Sequence, residues 1–186
     1  MDLFLVILGG LILLIDSKRK KNEKLINNNQ EEKMKTAENK VINTLKNKIR
    51  ENINTGLYIE SLRELKSDTF TVAPDGTGVQ VQQLGKYILK WEHFSAIVKK
   101  ANELGGTMYR GDALPQNKGV KLGVDISHNS MEGFISKELL GVSDKKSVTR
   151  RSTYYSGILA WAGIVTLNNS DGKGSYITVN SAFRDA

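Results

Sequence analysis

The chain has no cysteine, two prolines, two histidines and few aromatics, with Phe, Trp and Tyr making up 7% of its 186 residues. Without cysteine there is no disulfide framework and no thiolate site for zinc or an iron–sulfur cluster, and His93 and His128 are the only imidazoles available as ligands. The sequence also lacks the GxxxxGK[ST] spacing that lines backbone N–H groups around a phosphate; Gly105-Gly106 and Gly172-Lys173-Gly174 do not supply it. Glu64-Leu65-Lys66 has the ending of a nuclease-type metal triad but no acidic residue on a preceding strand at usable distance. A binding protein rather than an enzyme is therefore expected, with no cofactor, no metal and no catalytic residues.

The length accommodates one ordinary domain plus extensions. The formal charge of +7 is concentrated: residues 17–50 hold eleven Lys or Arg against four Glu, so the remainder of the chain sums to zero. The basicity belongs to this segment and gives no ground for treating the C-terminal part as globally basic.

The first thirty residues set an uncharged aliphatic run, Leu3 to Ile15, ahead of Lys18-Arg19-Lys20-Lys21. The run is shorter than the ~20 residues that span a bilayer comfortably, and residues 1–17 as a helix reach ~25 Å. Positive charge after the run rather than before it departs from a secretory signal peptide. By the positive-inside rule it places the following chain in the cytoplasm, with the basic cluster against anionic lipid. The expectation is a single-pass anchor in the cell membrane at residues 1–17.

Residues 18–56 form a Lys-, Asn- and Glu-rich stalk without proline or aromatics. Met34, Ala37, Val41, Leu45, Ile49 and Ile53 recur every three or four positions, one thin apolar stripe. Asn29 with Glu32 suits the start of a helix, and Asn54-Thr55-Gly56 its end, for a helix ~37 Å long. Such a stripe is too narrow to hold a helix alone in water, so it should pack on a second copy of the chain, as a homodimer, or on its own domain.

Residues 57–90 read as a hairpin-bearing segment packed on the domain. Leu57 to Lys66 fits a short helix or a strand. Thr69 to Val72 and Val79 to Gln82 alternate as strands around the turn Pro74-Asp75-Gly76. Next come a helix from Trp91 to Leu104, with His93 on its polar side, and a short β-prone piece, Thr107 to Tyr109. A long loop follows, flanked by Asp112 and Asp125, with His128 among turn formers. A helix capped by Asn129 or Ser130 then places Glu132 in its first turn, and Gly141 turns the chain. The helix expected from Lys146 to Ala162 has Val148, Tyr155, Ile158 and Leu159 on one face and Lys146, Thr149, Arg150, Thr153 and Ser156 on the other. Ile164 to Leu167 and Ser175 to Val179 close the series as a hairpin with a glycine-rich tip.

This order, carried by "ISKELLGVS", "SVTRRSTYYSGILAWAGIV" and the glycine-tipped hairpin, resembles the winged helix-turn-helix family over residues 91–180, with 181–186 as a tail. The fold class that follows is α+β: a membrane helix, a helical stalk and a winged-helix-like domain with small antiparallel hairpins. The resemblance implies double-stranded DNA as partner, read by a recognition helix in the major groove with the wing on the adjacent backbone. The contacting residues would be Lys145, Lys146, Thr149, Arg150, Arg151, Thr153 and Lys173. Arginine and hydroxyl donors on a protruding helix suit phosphate oxygens and base edges. The expected role is a membrane-anchored cytoplasmic regulator or tether of DNA, with membrane lipid as second partner. The alternative is a membrane-bound protein-interaction module without nucleic-acid binding.

Overall fold

The computed structural model describes residues 3–52, 58–60, 67–111, 119–170 and 174–184, and from Leu3 to Lys18 it describes the backbone alone. The fold is mixed α+β, one long helix and two small antiparallel sheets. The chain divides into two compact units, Met1–Thr36 and Ala37–Ala186.

Helix α1 runs without interruption from Leu3 to Glu51. It does not begin at Asn29, because nothing breaks it there: the sequence from Gly10 to Glu51 contains neither proline nor a further glycine, and Lys, Glu, Leu and Gln favour the helix on both sides. Among the described residues no helix is long and apolar enough to cross a membrane. The spanning anchor expected at residues 1–17 is therefore not supplied: the apolar run stops at Asp16, and the same helix continues straight into Lys18-Arg19-Lys20-Lys21. Within the first unit Arg19 Nε donates to Glu23 Oε1 across one turn at 3.0 Å, and Leu25 and Ile26 stay exposed.

In the second unit the stripe on α1 finds its partner within the chain. Ala37, Val41, Leu45 and Ile49 are buried, and the last three join the main hydrophobic cluster. Burial of each large aliphatic side chain is worth ~1.5–3 kcal/mol relative to exposure. Lysines between them set their ammonium groups over aromatic rings, Lys46 Nζ over Trp91 and Lys48 Nζ over Trp161, at 5.4 and 5.7 Å from the ring centres. Met34 is described in its backbone alone, and Ile53 lies outside the described residues.

The first sheet joins β1 (Tyr58–Glu60), β2 (Ser67–Val72), β3 (Gly78–Val81) and β4 (Ile88–Lys90) in sequence order, each antiparallel to the next. The segment left open between helix and strand thus contributes strand β1, and Glu64 and Lys66 lie outside the described residues. The β2–β3 hairpin forms as its alternation indicates, pairing Phe70 with Val81 and Val72 with Val79. Its turn is fixed by Asp75, whose Oδ1 accepts from the amide and hydroxyl of Thr77, which holds this exposed carboxyl below its ordinary range. Gly76 takes the left-handed conformation, φ 72°, that the turn requires.

Helix α2 (Trp91–Glu103) buries Trp91, Phe94, Ile97, Val98 and Ala101 on one face. His93 is not on a solvated side as the pattern suggests: it is 7% exposed, and its Nδ1 lies 2.8 Å from the Tyr155 hydroxyl. Strand β5 (Thr107–Tyr109) follows, then α3 (Met131–Phe134), which continues as one wider turn over Ile135–Leu139, then α4 (Ser152–Trp161) and the hairpin β6 (Val165–Ser170) and β7 (Gly174–Val179). The second sheet has the order β5-β7-β6, all antiparallel. Met108, Val165, Ile177 and Val179 turn inward to the core, while Tyr109, Thr166, Asn168 and Tyr176 stand on the opposite face, as the period of two demands.

Candidate functional site

The helix expected from Lys146 starts at Ser152, and residues 145–151 form an irregular segment ahead of it. Their backbone groups are committed elsewhere. Lys145 N donates to Leu122 O, Leu122 N to Lys146 O, and Val148 N to Val120 O, so the segment lies along residues 120–122 like a short ladder. Lys145 has φ 65°, a left-handed conformation costly for a side chain bearing Cβ. Val148, which the periodicity placed on the buried face of a helix, instead completes this ladder.

The six-residue shift has a definite cause. Glu132 Oε2 accepts from both Arg151 N and Ser152 N at 2.8 Å, so a carboxylate from α3 terminates the first turn of α4. Glu132 is not a solvated first-turn acid; it is fully buried. Burial pushes its carboxyl above the ordinary range, opposed by the amides of Ser152 and Arg151 and by the Arg151 charge. Ser130 caps α3, accepting from Gly133 N at 3.1 Å, and so aims Glu132 inward. Gly133 has no room for a Cβ, which would strike the Ser127 carbonyl.

The sequence-predicted donors thereby separate into two groups. Lys145, Lys146 and Thr149 are exposed on the irregular segment beside Lys121, and Arg150 is half-buried there. Arg151 and Thr153 are used internally: the Arg151 guanidinium lies 4.1 Å above the Tyr87 ring, and Thr153 Oγ1 accepts from Nη2 of the buried Arg110 at 2.8 Å. Lys173 lies outside the described residues, as does Asp112.

The donor-bearing face expected to protrude from α4 is covered instead. Ser152 and Ser156 are buried, and at the far end Trp161 meets Phe70 of β2 edge to face, with centroids 5.1 Å apart. On the inner side Tyr155 packs against Phe94 and holds His93. Burial pushes the Tyr155 phenol far above its ordinary value and holds the His93 imidazole below its own, so both are neutral at pH 7.

On the other edge of residues 119–127, Asp125 Oδ2 accepts from Lys121 N at 2.8 Å, and His128 Nε2 lies 2.8 Å from Asp144 Oδ1, which Lys137 also approaches. The His128 contact, with help from Lys137, holds the exposed Asp144 carboxyl below its ordinary range. A cavity of about 300 Å³ is lined by Tyr109, Gly111, Asp125, Ile126, Ser127, Asn129 and Ser130. Among the described residues no group of three acidic or imidazole side chains is placed to hold a metal ion.

Glu132, Arg110 and His93 were not identifiable as a buried polar system from the sequence. Burial of Glu132 depends on the close approach at Gly133, a signal that one glycine among seventeen does not carry by itself. Comparisons with models of protein families, with curated proteins and with solved structures return no match for this chain.

Proposed function

We propose that residues 91–179 form a winged-helix-like module that binds double-stranded DNA through the Lys145–Arg150 segment and the β6–β7 hairpin, not through the surface of α4. The observation that carries this reading is the succession α2, β5, α3, α4, β6, β7 with sheet order β5-β7-β6, combined with the exposed Lys145, Lys146 and Thr149 in the segment ahead of α4. Lys121, Lys145 and Lys146 suit phosphate oxygens, contacts that position a protein on a duplex without reading its sequence. Thr149 and Arg150 are the members of the segment nearest the start of α4, where a base edge would be met. The hairpin would lie on the neighbouring backbone as a wing, with Lys173 in its connection.

The role is binding, as a regulator or a tether, and the N-terminal part supplies the place. An apolar helical run followed by Lys18-Arg19-Lys20-Lys21 suits burial in the surface of an anionic bilayer, with the rest of the chain on the cytoplasmic side.

Binding of the full chain to a labelled duplex, followed by anisotropy over a series of salt concentrations, tests the reading. Affinity should fall linearly on a log–log plot, and Lys145→Ala with Lys146→Ala should lower the slope by about one for each phosphate contact removed. A slope unchanged in the double variant would overturn the assignment of this segment. A second reading, a protein-interaction module without nucleic acid, is favoured by the burial of Ser152 and Ser156 on α4 and by the use of Thr153 within the fold. It predicts no duplex binding at any salt concentration.

A further inference from the structure

We infer that the cavity beside Tyr109 receives an unpaired purine base of a DNA bound at the Lys145–Arg150 segment, an inference that rests on the DNA-binding reading above. The cavity, at about 300 Å³, is at the small end of ligand sites and fits a single ring system rather than an extended ligand.

Its walls have the chemistry of base recognition. Tyr109 is 46% exposed, although it ends a strand whose neighbour Met108 is buried, and its ring is held by Tyr176 with centroids 5.7 Å apart at 57°. A phenol ring fixed in this way offers a π-face for stacking to any base. Asp125, Ser127 and Asn129 line the same cavity. One Asp125 oxygen is taken by Lys121 N, which orients the carboxylate and leaves the other to accept from an exocyclic amine. Asn129 is exposed, its backbone amide held by Ser127 Oγ, and its side-chain amide has the donor–acceptor pair that matches N6–H and N7 of adenine.

The site is preorganised. Ser130 ties residues 127–133 together by donating to Ser127 O and accepting from Gly133 N, and Gly133 lies flush against the Ser127 carbonyl. It is also connected to the basic segment: Leu122 bonds Lys145 and Lys146 on one edge of the loop, and Ile126, bridged to Leu122, lines the cavity on the other. A strand held by the lysines would thus pass within reach of a pocket whose rim accepts and donates in the plane of a base. Unstacking a base is least costly where it is already unpaired, which makes a bulge the favoured target.

The test uses the full chain and two dye-labelled duplexes, one fully paired and one carrying a single unpaired adenine, the latter also made with 2-aminopurine, which lacks the N6 amine, as a reporter of stacking alone. The bulged duplex is expected to bind about tenfold more tightly, with a change in 2-aminopurine emission on stacking against Tyr109. Tyr109→Ala should abolish both effects while affinity for the paired duplex is retained. Asn129→Ala, at an exposed position with no part in the core, should reduce the preference by about threefold to tenfold. Equal affinity for the two duplexes with unchanged emission, or a preference that survives Tyr109→Ala, overturns the inference and leaves the DNA-binding reading standing. Failure of both duplexes to bind sinks that reading and the inference together.

Discussion

Residues 145–150 and residues 152–161 are consecutive in the chain and opposite in environment. The first stretch is irregular and carries exposed lysines; the second is a helix packed into the core, with Tyr155 against Phe94 and His93 and Trp161 against Phe70. The boundary between them is marked by the buried carboxyl of another helix, Glu132, which accepts from the amides of Arg151 and Ser152. A carboxyl group from a distant part of the chain can therefore set where a helix starts, against a local periodicity that would have begun it six residues earlier.

The comparison fails most completely if the enclosure is removed. Phe70→Ala deletes the ring against Trp161 and leaves a cavity at a 2% exposed position, an expected loss of about 3–5 kcal/mol in urea unfolding. Glu132→Ala leaves two buried amides without an acceptor at the start of α4 and is expected to cost about 3 kcal/mol by the same measurement. Its stability effect also carries a pH signature. Because the folded-state pKa is raised, the folded form holds its proton longer than the unfolded one, so stability is full below the ordinary value of 4.5 and falls as pH rises through the window up to the raised value. Glu132→Gln should flatten that decline, and unfolding free energies measured from pH 4 upward check it.

A smaller effect sharpens the inner side of the comparison. Tyr155→Phe keeps the ring against Phe94 and removes the hydroxyl from His93, for an expected loss of about 1 kcal/mol. Smallest is Lys145→Gly. It relieves the left-handed backbone at φ 65° and should leave stability unchanged or raise it by about 0.5–1 kcal/mol, while weakening duplex binding through the lost charge. If Lys145→Gly instead destabilised strongly, the segment would be part of the enclosed core rather than a surface beside it.

Much of the architecture was legible as pattern. The β2–β3 hairpin, helix α2, strand β5 and the β6–β7 hairpin follow from alternation, 3.6-residue spacing and turn chemistry, and of the two caps expected for α3, Asn129 or Ser130, it is Ser130 that serves. The stripe from Ala37 to Ile49 was legible as a face needing a partner, though not that the partner is the chain's own core. The extent of α1 was misjudged because a favourable cap at Asn29 cannot stop a helix that both flanks favour. The start of α4 was misjudged because the spacing of Val148 relative to Tyr155 satisfies a helix while its amide is bonded to Val120. Of the donors proposed as one face, Thr153 was spoken for by a buried Arg110 that nothing local marks as buried.

The amino-acid sequence by itself determined where apolar faces and turns fall, because side-chain period and backbone preference act over a few residues. It also determined the concentration of positive charge in residues 17–50 and the exclusion of thiolate chemistry. The tertiary structure alone decided which donors remain available, because burial, the Glu132 bonds to α4 and the stacking of Arg151 on Tyr87 arise between segments far apart in the chain. Local spacing does not encode contacts whose energy exists once those segments meet.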